Sequence, residues 1–185
     1  MAQAQILYPM FMSKIPLQAF KIEYVGLMST LITPVVIIPE LNVNDIRLND
    51  VLSNPQRLGL QFNALWDTGA HRSCIKPEIA QKLGINNNII SYANVTGVNS
   101  ETQTKPIYKI GYLVLSNRVI LPGFHFIESN IASTADILIG MDLILLGDLS
   151  ISNGREKTVF CFSMPPHDNV IDLVERGNKV NQRKR

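Results

Sequence analysis

The chain has 185 residues and a mass of 20.7 kDa, enough for one well-buried core and short for two. At 46% hydrophobic and 17% charged residues it is slightly poor in charge, which excludes disorder for most of its length and favours a buried subunit interface. The formal charge of +2 rests on Lys179, Arg183, Lys184 and Arg185, without which the body carries about −2, so a basic nucleic-acid surface is excluded as well.

Phe20, Ile22 and Tyr24 alternate with Lys21 and Glu23, the period of a strand with one wet face, and Gly26 ends it. Val35, Val36, Ile37 and Ile38, held between Pro34 and Pro39, predict a second and more buried strand. Residues 40–57, rich in Asn and Asp, read as a long connection with a short strand near Leu41 and Val43. Residues 57–66 predict a strand that ends on Asp67. After it, Pro77 in the first turn and Gly84 just past the end frame a short helix.

Residues 89–98 and 105–115 read as strands flanking a polar segment, a hairpin with an exposed, mobile tip. Ser116, Asn117 and Arg118 turn the chain into a strand over residues 119–127 that Pro122 and Gly123 bend. Residues 136–139 form a strand running into Gly140 and a short apolar turn of helix through Leu146. Asn153-Gly154 supplies the two positive-φ residues of a tight hairpin between residues 149–151 and 158–160. Beyond Pro165-Pro166, Asp168 is the expected N-cap of a helix carrying Val170, Ile171, Leu173 and Val174, with Gly177 as its stop. The organisation expected is an N-terminal extension over residues 1–19, one domain over 20–165, and a short helix with a basic tail over 166–185.

Cys74 and Cys161 lack the paired spacing of a zinc site or redox motif and read as reduced core thiols. His125 and His167 form no metal-ligand spacing either, so no metal and no cofactor is expected. The N-terminus has no basic region ahead of a long apolar run. The most apolar stretch, residues 32–39, is broken by Thr33 and Pro34 and is too short to span a bilayer. The expectation is a soluble cytoplasmic protein with no membrane partner.

Two runs carry the chemistry. Ala64-Leu65-Trp66-Asp67-Thr68-Gly69-Ala70 delivers one carboxylate from the end of an apolar strand into a glycine turn. Ile137-Leu138-Ile139-Gly140-Met141-Asp142 repeats the pattern of apolar strand and glycine. Together they resemble the retropepsin-like (retroviral-type) aspartic proteases, closely over residues 58–163.

That resemblance implies an all-β, closed-barrel acid-protease fold with one or two short helices, working as a homodimer. It implies Asp67, Thr68 and Gly69 as catalytic residues and Ala70, Gly97 and Val98 as substrate-binding, the last two in a flap that closes over an extended peptide. Peptide hydrolysis of this type needs one carboxylate to take a proton from water while another supplies one to the scissile carbonyl. The chain holds one Asp-Thr-Gly, so the implied centre lies on a two-fold axis between two Asp67 carboxylates sharing one proton. Thr68 would donate across the axis. Ala70 stands where the two-domain pepsin-like enzymes usually carry a hydroxyl, which predicts a mildly acidic optimum.

The chain departs from the family at His71-Arg72 and Met141-Asp142, where acids and an arginine are common; the charges are exchanged, and Arg72 is expected to pair with Asp142. Trp66 faces away from Asp67 and is expected in the core with a partner for its indole N–H. The terminal strands that build the dimer interface in the retroviral enzymes are not carried over. The alternative function is a non-catalytic dimerisation or peptide-binding module on the same fold. A cysteine nucleophile pairing Cys74 with His71 lacks a marked oxyanion site. An apolar stretch over residues 6–11 is a candidate for proteolytic trimming.

Overall fold

The computed structural model of the chain describes residues 16–39, 51, 53–96, 102–168 and 171–182. The strand expected near Leu41 and Val43, the tip residues Gly97 and Val98, and most of the N-terminal extension lie outside them. The described residues form β1 (Gln18–Val25), β2 (Leu31–Ile38), β3 (Leu60–Trp66), β4 (Cys74–Ile75), β5 (Ile89–Thr96) and β6 (Thr102–Lys109). There follow β7 (Tyr112–Val114), β8 (Ile120–Pro122), β9 (His125–Glu128), β10 (Ile137–Ile139), β11 (Asp148–Gly154) and β12 (Lys157–Met164). The helices among them are α1 (Pro77–Lys82), α2 (Met141–Ile144) and α3 (Leu173–Gln182).

The strands make two sheets, one of nine in the order β5-β6-β9-β4-β10-β3-β2-β7-β8 and one of three in the order β1-β12-β11. The mostly-β class is as expected; the closed barrel is not. The larger sheet ends on β5 and β8, and β1, β11 and β12 stand apart as their own sheet. The reason is aromatic. β1 and β12 pair antiparallel along their whole lengths, from Gln18↔Met164 to Val25↔Lys157, and turn Phe20, Phe160 and Phe162 inward. These rings close on Trp66 of β3 at centroid distances of 6.0, 4.9 and 5.1 Å. The two sheets are therefore joined by ring packing across a filled core and not by a hydrogen-bonded seam. Trp66 is buried there, and its indole N–H donates to the Thr33 hydroxyl at 2.9 Å, as its position predicted.

Several boundaries differ from the pattern in the sequence. β3 starts at Leu60 because Pro55–Arg57 forms a 3-10 turn and Gly59 lies so close to β2 that a Cβ would sit 2.4 Å from the Ile37 carbonyl oxygen. The bend foreseen at Pro122-Gly123 separates β8 from β9, with Gly123 at φ +63. α1 ends as expected, Gly84 taking φ +70 just beyond it.

The last hairpin turns on Arg155-Glu156, both at positive φ (55 and 58), and not on Asn153-Gly154. Asn153 is occupied inside the ladder: it pairs with Thr158, and its side-chain oxygen accepts from the buried Thr158 hydroxyl at 2.7 Å. That same hydroxyl accepts from the Met28 N–H at 2.9 Å, so the register is tied from both sides.

The C-terminal helix is capped by Asp172 and not by Asp168. One Asp172 carboxylate oxygen accepts from the N–H groups of Val174 and Glu175 at 2.8 and 3.0 Å. The helix runs through Gly177 to Gln182, and none of its described residues is buried. Upstream of it, His167 lies against β11. Its backbone N–H donates to the Asp148 carboxylate at 2.7 Å and its Nδ1 lies 2.6 Å from the same oxygen.

Candidate active site

β3 alternates as a half-buried strand should, putting Phe62, Ala64 and Trp66 in the core. β10 lies parallel to it, with Ile137 beside Ala64 and Ile139 beside Trp66. The ladder continues one step beyond the strand, where the Asp67 N–H donates to the Ile139 carbonyl at 2.9 Å. Asp67 is thus fixed at its backbone by the sheet, while its side chain belongs to the turn that follows.

In that turn the Gly69 N–H donates to the Asp67 carboxylate at 2.8 Å, and the Ala70 N–H to the Asp67 carbonyl at 3.3 Å. The first bond is charge-assisted and fixes the carboxylate rotamer. A Cβ on residue 69 would lie 3.2 Å from that carboxylate oxygen, tighter than ordinary contact, so glycine is what lets the N–H come this close. Thr68 is exposed, and its hydroxyl has no partner among the described residues.

The second glycine holds the turn from behind. A Cβ on Gly140 would lie 2.7 Å from the Arg72 carbonyl carbon and 2.9 Å from the Ala70 oxygen, so the start of α2 presses directly on the loop after Asp67. The Met141 N–H donates to the Ala70 carbonyl at 2.8 Å and the Asp142 N–H to the His71 carbonyl at 3.2 Å. Two segments far apart in sequence are stitched backbone to backbone.

A buried serine that the sequence gave no reason to single out completes the clamp. Ser73 is fully buried; its hydroxyl donates to the Asp142 carboxylate at 2.6 Å and accepts from the Gly140 N–H at 3.0 Å. Its backbone N–H reaches both Asp142 oxygens at 3.0 Å, and the Leu143 N–H adds another donor at 3.0 Å. Arg72 does meet Asp142, as the exchanged charges predicted, with Nε 3.6 Å from the carboxylate and a half-exposed side chain. Such a pair contributes little beside the buried hydroxyl bond.

Asp67 and Thr68 open on a cleft of about 400 Å³ whose walls include Met28, Leu31, Leu149 and Ile151. Hollows of about 440 and 730 Å³ lie elsewhere, and neither contains Asp67. β5 and β6 form the expected hairpin, paired from Ile89↔Tyr108 to Thr96↔Thr102, with Gly97 and Val98 outside the described residues.

Cys74 sits nearby, its thiol pushed up to about 11, first by burial and then by the Asp142 charge. It is therefore protonated at neutral pH, which weighs against a thiolate nucleophile. Among the described residues no group of three or more His, Cys, Asp or Glu side chains converges as a metal site would require.

The chain is retropepsin-like where these features lie. Residues 58–145, just under half of it, match the family model described as "gag-polyprotein putative aspartyl protease". That stretch runs from the approach to β3 through the end of α2 and so contains both glycine turns. No curated protein sequence matches the chain. Among solved structures it is similar to a retropepsin-like aspartic protease from Rickettsia conorii, at 13% identity and a TM-score of 0.48, covering 80% of this chain and 96% of that one. It is also similar to the retroviral protease-like domain of Ddi1 from Leishmania major, at 17% identity and a TM-score of 0.40, covering 72% of this chain and 94% of that one.

Proposed function

We propose that the chain is an aspartic endopeptidase whose active site is completed by a second copy. The observation that carries this reading is the Asp67 carboxylate: a single acid, set by the Gly69 N–H at the end of a buried strand, opening on a cleft with apolar walls. Two such carboxylates on a two-fold axis share one proton, so one takes a proton from the attacking water while the other protonates the scissile carbonyl. Thr68, exposed and unpartnered in one chain, donates to the partner loop. The β5–β6 hairpin acts as the flap, Gly97 and Val98 contact the peptide backbone with Ala70, and apolar side chains flanking the cut fill the cleft.

The substrate is a peptide or protein; the reaction needs no cofactor, no nucleic acid and no membrane. The half-buried free thiols of Cys74 and Cys161 suit a reducing, cytoplasmic setting. The test is a mixed peptide library incubated with the parent and with Asp67→Asn across pH 3 to 8. The parent cleaves, fastest in the mildly acidic range, and Asp67→Asn falls by about 10³-fold or more. A parent that cleaves nothing at any pH overturns the reading in favour of a binding module.

A further inference from the structure

β11 is the outer strand of the small sheet. Among the described residues it pairs with β12 alone, which leaves one edge of backbone N–H and C=O groups free. Natural edges of this kind are usually blunted by charge, proline or a bulge. Here the strand reads Asp-Leu-Ser-Ile-Ser-Asn-Gly, with one charge at its very start, no proline and an unbroken register against β12. Ile151, its middle residue, is 49% exposed. Leu149 and Ile151 also line the cleft that holds Asp67 and Thr68, so the free edge borders the half-site itself.

From this juxtaposition we infer that β11 is the strand by which two copies of the chain join, edge to edge and antiparallel, with Ile151 facing Ile151 of the partner subunit across the two-fold axis. The inference rests on the homodimeric reading above and adds the surface and the register. An antiparallel pair of identical strands is isologous: one residue must face itself, and the residues on either side face each other in mirrored order. Centring on Ile151 lets all seven residues pair. It sets Leu149 against Asn153, Ser150 against Ser152 and the lone Asp148 against Gly154, so no like charges meet. It also buries the one large exposed apolar side chain of the strand against its own copy. Because Ile151 lines the Asp67 cleft, an axis through it brings the two clefts together and turns two half-sites into one. The strand concerned is internal, followed by β12 and α3, and so differs from the chain-terminal strands that join the retroviral enzymes.

The experiment uses the full chain carrying Cys161→Ser, which leaves Cys74, poorly reactive through burial, as the background thiol. Residues facing each other across an antiparallel pair have Cα atoms about 4.5–5.5 Å apart, within disulfide range. Ile151→Cys is therefore expected to form a cross-linked dimer on mild oxidation, while Ser152→Cys, which faces Ser150, does not. Ile151→Lys, placing two charges on the axis, is expected to shift the sedimenting species from dimer to monomer with the circular dichroism of the fold retained. If the parent is a dimer but Ile151→Lys stays dimeric, or Ser152→Cys cross-links as readily as Ile151→Cys, the inference is overturned and the homodimeric reading stands. A parent that sediments only as a monomer, peptide present or absent, overturns both.

Discussion

At the scale of single residues, the turn that presents Asp67 is held by atoms that are remote in sequence. Ser73 gives its hydroxyl proton to Asp142 and takes one from the Gly140 N–H, so one small side chain ties the loop after β3 to the start of α2. Ser73→Ala leaves a buried N–H without its acceptor and removes a charge-assisted bond. A loss of about 1–3 kcal/mol is expected in urea unfolding, with the far-ultraviolet spectrum unchanged. If the variant also binds peptide less well, the turn has loosened along with the clamp. Trp66 and the Arg72–Asp142 pair were legible in the sequence because each followed from a local rule: a strand face in one case, exchanged charges in the other. Ser73 was not, because its partners lie 67 and 69 positions away and nothing in its neighbourhood distinguishes it from a surface hydroxyl.

At the scale of elements, the last hairpin shows a strong local signal overridden by tertiary ties. Asn-Gly is the preferred pair for a tight turn, yet Thr158 draws Asn153 into the ladder, and the turn falls two residues later on Arg155 and Glu156. Both then adopt a left-handed backbone that costs a side-chain-bearing residue about 1 kcal/mol or more. Replacing them together with Asn-Gly is expected to stabilise the protein by about 1–2 kcal/mol, read as a higher melting temperature. A lower melting temperature would mean that the two side chains contribute contacts of their own. The α1 helix was fully legible, since proline and glycine punctuate it at both ends. The cap of α3 was not, because Asp168 and Asp172 carry the same chemistry and only the path of the chain after Pro166 decides between them.

At the scale of the whole molecule, strand identity could be read from alternation, but the partition into two sheets could not. Alternation tells which face of β1 and β12 is apolar. It does not tell that Phe20, Phe160 and Phe162 close on Trp66 by packing while the larger sheet stays open at β5 and β8.

The small sheet has a second tie in Asp148, whose carboxyl is held below its ordinary range by the His167 backbone N–H and then by the ring. A carboxyl depressed in the folded state contributes stability above its unfolded pKa, and that contribution is lost as pH falls through the folded value. Because Asp148 is well exposed, less than about 1 kcal/mol is at stake. Melting followed from pH 7 down to pH 3 should therefore show slightly steeper acid destabilisation in the parent than in Asp148→Asn. Parallel curves would show that the tie contributes nothing in solution.

α3 leans on nothing: from Leu173 to Gln182 every described side chain faces water. Ten residues that can be severed without disturbing the domain amount to a detachable handle, and Arg176 and Lys179 offer trypsin two places to cut it. Brief digestion should shorten the chain there first and leave the melting temperature of the remainder where it was. A drop in that temperature would mean that the handle grips something the folded monomer does not reveal.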